Sequence, residues 1–171
     1  MTGSFWHRLD LTARRSTPAA LTVLLVLINA LPLHVPGMAR VVPVLPLMAI
    51  YHWAVFRPEL MPTYVVFLIG VLHDALWGTP LGVSALVFLA IQGAVAAQRR
   101  FLAGKTFTIV WLGFVLVAAG AAVLAWILVS LFHFAIVDAR AALVQYLMTV
   151  GTFPLISGVF LRWQRSLLQT E

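Results

Sequence analysis

Charged residues punctuate this chain at wide intervals and leave long apolar stretches between them. None occurs over Ser16–Ala39, Val41–Phe56, Ala75–Gln98, Thr106–Val137 or Ala141–Leu161. A helix crossing the hydrocarbon core of a bilayer needs about 20 apolar residues at a rise of about 1.5 Å each. Residues 18–36, 81–98, 107–134 and 141–161 meet that length. Stretch 41–56 is shorter and contains Pro43 and Pro46, which suits a short span or a helix entered through an extended segment. Stretch 62–78 is long enough and contains His73 and Asp74. The pattern predicts an all-α, polytopic membrane helical bundle with six transmembrane helices, or five if 41–56 does not cross. Residues 1–171 form a single transmembrane domain, with 1–17 and 162–171 as short terminal segments.

Composition strengthens this reading. The chain is 63% hydrophobic and 9% charged, against about 25% charged in soluble domains. Water-facing surface needs polar cover that this chain does not have. No segment outside the spans is long enough to fold alone, so a separate soluble domain is excluded. The absence of cysteine excludes disulfides, thiolate metal sites and a cysteine nucleophile.

The net charge of +6 does not point to nucleic acid, because the basic residues sit between spans, where they set topology. With six spans, nine lie on one side: Arg8, Arg14, Arg15, Arg57, Arg99, Arg100, Lys105, Arg162 and Arg165. Two, Arg40 and Arg140, lie on the other. This asymmetry places both termini in the cytoplasm. Tyr51, Trp53, Phe107, Trp111 and Trp163 then fall near the cytoplasmic ends of helices, where aromatic belts form. Arg8, Arg14 and Arg15 also resemble the start of a signal peptide, but no small-x-small cleavage site follows, so an uncleaved first helix is expected.

One acidic residue lies inside a span. Asp74 occurs in FLIGVLHDALWGTPLG, residues 67–82. Gly70, Asp74 and Gly78 are spaced by four and share a helix face. Glycine on either side of a carboxylate lets a neighbouring backbone approach. Two roles fit. Asp74 could be a structural lock, accepting hydrogen bonds from the turn Thr79-Pro80-Leu81-Gly82 or capping the next helix. It could instead be a proton or cation site, since intramembrane carboxylates cost at least a few kcal/mol and are retained for function. A relay needs further ionisable groups, and the spans offer only histidines, which favours the lock. His73 points about 100° away from Asp74 on a helix, so the two do not pair across a simple face.

Other chemistry is scarce. His34, His52, His73 and His133 have no metal-ligand spacing within a segment, so neither metal nor cofactor is expected. The acids Asp10, Glu59, Asp74, Asp138 and Glu171 form no catalytic pair. Ser84, Ser130 and Ser157 have no base nearby in sequence, and no G-x-S-x-G or H-E-x-x-H motif occurs. No catalytic residue is assigned. Gly113 and Gly120 with the run Ala118–Ala122, and Gly151, Pro154 and Gly158, read as small-residue packing faces, with docking of a partner helix as the other reading.

The run of motifs resembles the rod shape-determining protein MreD family. Pro43-Val44-Leu45-Pro46 leads to Tyr51-His52-Trp53 and Arg57-Pro58. Residues 70–82, GVLHDALWGTPLG, look like the family pattern G-x-L-x-D-x-L-x-G-x-P-L-G, and Gln98-Arg99-Arg100 is similar to its basic helix end. The match is strong over residues 43–100 and compositional beyond them. The resemblance implies a non-enzymatic component of the bacterial cell-elongation machinery in the inner membrane. It implies work beside MreC, MreB, RodA and penicillin-binding protein 2, and a fold similar to the substrate-binding subunits of energy-coupling-factor transporters. The signature positions are Gly70, Asp74, Gly78, Pro80 and Gly82, as structural or partner-contacting residues. That transporter analogy keeps a small-molecule-binding membrane subunit or permease as the alternative, expected to show a polar cavity around Asp74.

Overall fold

A helix that is apolar on every side must be covered on every side, and LPLMAIYHWAVF has no polar face. In a computed structural model, which describes residues 3–31, 42–102 and 104–168, this segment forms the centre of the bundle. The helices are α1 (Gly3–Ala30), α2 (Leu45–Phe56), α3 (Thr63–Trp77), α4 (Val83–Leu102), α5 (Phe107–Phe132) and α6 (Ala139–Leu168), with a 3-10 turn at Pro58–Leu60 between α2 and α3. No strand occurs among the described residues. Of the sequence expectations, His34, Arg40, Glu171 and the end of the first stretch lie outside the described residues, as do the side chains of Arg8, Asp10, Arg14, Arg15, Trp163 and Arg165.

Every residue of α2 from Pro46 to Val55 is buried. Its 12 residues cover about 18 Å at helical rise, well short of a bilayer core of about 30 Å. The short stretch 41–56 is therefore entered through non-helical residues at 42–44, with Leu45 N–H donating to the Pro43 carbonyl at 3.0 Å, and its helix is a core element with α1, α4 and α6 packed around it. Three helical segments, α4, α5 and Ala139–Val159 of α6, are long and apolar enough to cross a membrane alone. The apolar part of α1 (Thr17–Ala30), α2 and α3 are shorter. The outer surface carries large apolar side chains, including Leu116, Leu155 and Leu68, all more than half exposed. A soluble monomer does not present apolar area on that scale, and a lipid-embedded bundle does.

Aromatic residues at 51 and 53 are core rather than belt. Tyr51 is fully buried and its hydroxyl donates to the Val110 carbonyl at 2.8 Å. Its ring meets Phe114 and Phe153 edge-on at 5.1 and 5.7 Å, and those two stack at 4.0 Å. This ties α2, α5 and α6 together. A Cβ at Gly113 would lie 2.8 Å from the Tyr51 hydroxyl, so glycine is what admits that hydrogen bond. Trp53 is also buried. The difference has a simple cause: α2 is central, so both rings are enclosed by neighbouring helices.

Two sets of contacts fix the helix directions. At one end, Gln92 Nε2 donates to the Met61 carbonyl at 2.6 Å and Arg99 Nε to the Val55 carbonyl at 3.4 Å. The α2–α3 connection therefore lies beside the C-terminal half of α4, gathering Arg57, Arg99, Arg100 and Lys105 at one end. At the other end, Gln145 Nε2 donates to the Val42 carbonyl at 3.2 Å, and Val44 N–H to Thr149 Oγ1 at 3.1 Å. In α6, Pro154 has no N–H to bond the Val150 carbonyl. That carbonyl accepts from Trp111 Nε1 on α5 at 3.3 Å instead.

The small-residue faces differ from expectation. Nothing lies within 4 Å of where a Cβ would stand at Gly120, Gly151 or Gly158. In this part of α6 the buried residues are Phe153 and Ser157. These three glycines thus do not admit a neighbour among the described residues.

Candidate functional site

The site is the hairpin that joins α3 to α4, and it begins with how α3 stops. Gly78 is the C-cap, at φ 67° and ψ 22°. This left-handed conformation costs a residue with a Cβ about 1–2 kcal/mol, and glycine adopts it freely. The turn Thr79–Gly82 follows, with Gly82 at φ 102° and the Pro80 carbonyl accepting from Val83 N–H at 3.2 Å. Gly78 therefore does not flank Asp74 as a packing surface. Nothing lies within 4 Å of a Cβ built there; its role is to reverse the chain.

Asp74 stands one turn before that reversal and is completely buried. Thr79 Oγ1 donates to its Oδ1 at 2.7 Å. Gly82 N–H donates to Oδ2 at 2.9 Å. Ser84 N–H lies 3.1 Å from both oxygens. The N–H groups at a helix start have no intrahelical partner, so Asp74 satisfies donors that α4 would otherwise leave bare in an apolar setting. A carboxylate at a helix N-terminus also gains from the helix dipole, by about 0.3–2 kcal/mol. One side chain thus closes the turn and caps the next helix. No Lys or Arg pairs with it among the described residues.

Gly70 does what its position suggested. A Cβ there would fall 2.3 Å from Ala85 Cα and 2.6 Å from Ala85 N. The α4 backbone therefore presses directly on α3 one turn below the carboxylate. Four of the five signature residues act locally: Gly70 sets the approach, Asp74 clamps, and Gly78 and Gly82 take the positive-φ positions. Pro80 lies within the clamped turn.

The residue missed by sequence reasoning is Ser84. His73 and Asp74 share no hydrogen bond, yet both converge on it: Asp74 on its backbone and His73 Nδ1 on its hydroxyl at 3.0 Å. His73 also stacks on Trp77 at 5.9 Å and meets Phe88 edge-on at 5.6 Å. A serine two residues after the turn glycine, at the first exposed N–H groups of a helix, was the available signal.

A cavity of about 340 Å³ adjoins this hairpin, lined among others by His73, Ser84, Thr79, Ala121, Gln145 and Thr149. Asp74 does not line it. The polar cavity expected around Asp74 is thus displaced onto its neighbours, and a transport path through the carboxylate draws no support from this geometry. Among the described residues no three of His, Asp and Glu come together as metal ligands.

A family model described as rod shape-determining protein MreD matches residues 13–170. No curated protein and no solved structure matches the chain.

Proposed function

The chain belongs to the MreD family of rod shape-determining membrane proteins, and on that premise we propose that it is a non-enzymatic scaffold of the bacterial elongation machinery. In this reading it lies in the inner membrane with both termini cytoplasmic, binds MreC, and helps organise peptidoglycan synthesis by RodA and penicillin-binding protein 2 alongside MreB. The observation that carries the reading is the family match over nearly the whole chain. The site geometry supports it, because the conspicuous ionisable group is spent on holding two helices in register. Both Asp74 oxygens are occupied by donors from its own hairpin. The orientation is supported by nine basic residues against two across the predicted sides.

A pull-down of the detergent-solubilised full chain from its native membrane tests this. The expected result is recovery of an MreC-like protein with a single membrane anchor. Recovery of the chain alone, at a concentration where it remains folded, would contradict the scaffold role.

A further inference from the structure

The cavity beside the hairpin serves no purpose in that scaffold. It lies toward the end of the bundle away from Arg99 and Arg100, among α3, α4, α5 and α6. The space is open to the surface on the side of Val137, Asp138 and Ala141, and small-molecule sites usually fall at about 300–1,000 Å³. At about 340 Å³ this space lies at the lower end of that range. It exists because α5 presents Ala118, Ala121, Ala122 and Ala125 where larger side chains would fill the gap.

The walls are selective. Most of the lining is aliphatic or aromatic, including Val87 and Phe88. Among the described residues, three polar side-chain atoms of the lining have no hydrogen bond: Trp77 Nε1, His73 Nε2 and Gln145 Oε1. His73 uses Nδ1 on Ser84, leaving Nε2 to give or accept one bond in either tautomer. Gln145 uses Nε2 on the Val42 carbonyl, leaving Oε1 unbonded. Among the described residues no Lys or Arg lines the space, and its charged residue is Asp138, exposed at the rim with Oδ1 accepting from Arg140 N–H at 2.9 Å. A phosphate or carboxylate head among these apolar walls would have no counter-charge, which is unfavourable. An uncharged head with one or two hydroxyl or carbonyl groups needs none.

We propose that this cavity binds an uncharged amphipathic molecule of the neutral glyceride class. A hydroxyl donates to Gln145 Oε1, a second hydroxyl or the ester carbonyl bonds His73 Nε2, and its alkyl chain lies on the alanine face of α5. At about 30 Å³ per water-sized unit the space holds on the order of a dozen non-hydrogen atoms. That is enough for a glycerol ester and the first part of its chain. The site is separate from the Asp74 clamp, so ligand occupancy and the fold of the hairpin can be measured independently.

The test uses the purified full chain in detergent micelles with three probes of equal chain length: 1-decanoylglycerol, decanoate and decyl phosphate. Binding is read by native mass spectrometry and by the rise in Tm. The glyceride is expected to give a one-to-one adduct and a Tm rise of several degrees, with both anions at least tenfold weaker. Ala125→Phe, which fills the cavity, should lose the adduct at least tenfold while keeping its unliganded Tm. Ala121→Leu serves the same purpose should the larger substitution prevent folding. The absence of a glyceride adduct would overturn the proposal, as would an equal adduct with the anions or one undiminished in a folded cavity-filled variant.

Discussion

Replacing Asp74 with alanine is expected to destabilise the folded bundle by about 4 kcal/mol, enough to remove most properly assembled protein from the membrane. The substitution strands three donors at once: the Thr79 hydroxyl and the N–H groups of Gly82 and Ser84. A buried donor left without a partner costs about 1–3 kcal/mol, and the favourable charge at the start of α4 is lost as well. Relaxation of the turn toward the interface recovers part of the total, so the sum is smaller than three full penalties. Thermal unfolding in detergent and the monodisperse fraction on size-exclusion chromatography give the readout. A variant that folds like wild type would remove Asp74 from the account of stability.

Gly70→Leu is expected to have the next largest effect, about 3 kcal/mol or more. The atoms a Cβ would meet are Ala85 Cα and N at 2.3 and 2.6 Å. These are backbone atoms, so no rotamer change relieves the clash. Carbon atoms pack comfortably at about 3.5–4.0 Å, so α4 would have to move away by more than about 1 Å. That displacement also pulls the N–H groups of Gly82 and Ser84 from Asp74. Gly93→Ala in α4 is the control, because nothing lies within 4 Å of a Cβ there. It should be neutral or stabilise by up to about 1 kcal/mol through helix propensity. Equal losses of Tm in the two variants would show that close approach at Gly70 is not the cause.

Both effects were legible in the sequence to a large extent, for one physical reason: they are local. Asp74 lies within ten residues of every group it bonds, and an acidic residue in an apolar helix just before Gly-Thr-Pro-Leu-Gly announces a turn that needs an acceptor. Gly70 was legible through its four-residue spacing. The same spacing misled at Gly78, where the helix has already ended and face periodicity no longer applies. The centrality of α2 was half legible. Its lack of a polar face signalled burial on all sides, but a short apolar helix in a membrane chain reads equally well as a span. The pairing of His73 with Ser84 depends on how the turn folds back, which residue spacing on a single helix does not reveal. The cavity was hidden for a different reason. Ala118–Ala122 looked like a surface for close packing, and whether small residues bring helices together or leave space depends on side chains from four helices at once. Gly151 and Gly158 show the same ambiguity from the other side, being small without a neighbour among the described residues.

The central claim is that Asp74 acts as a clamp within a scaffold, and Asp74→Asn tests it most directly. Asparagine preserves size and one carbonyl acceptor but presents an amide donor to the N–H groups of Gly82 and Ser84. Its folded fraction and its recovery of the MreC-like partner should be measured together in the native membrane. The clamp predicts that both fall, partner recovery declining in step with folded protein. If the variant folds normally and recovers its partner normally, yet loses a proton-coupled activity, Asp74 is a proton site and the clamp account is wrong.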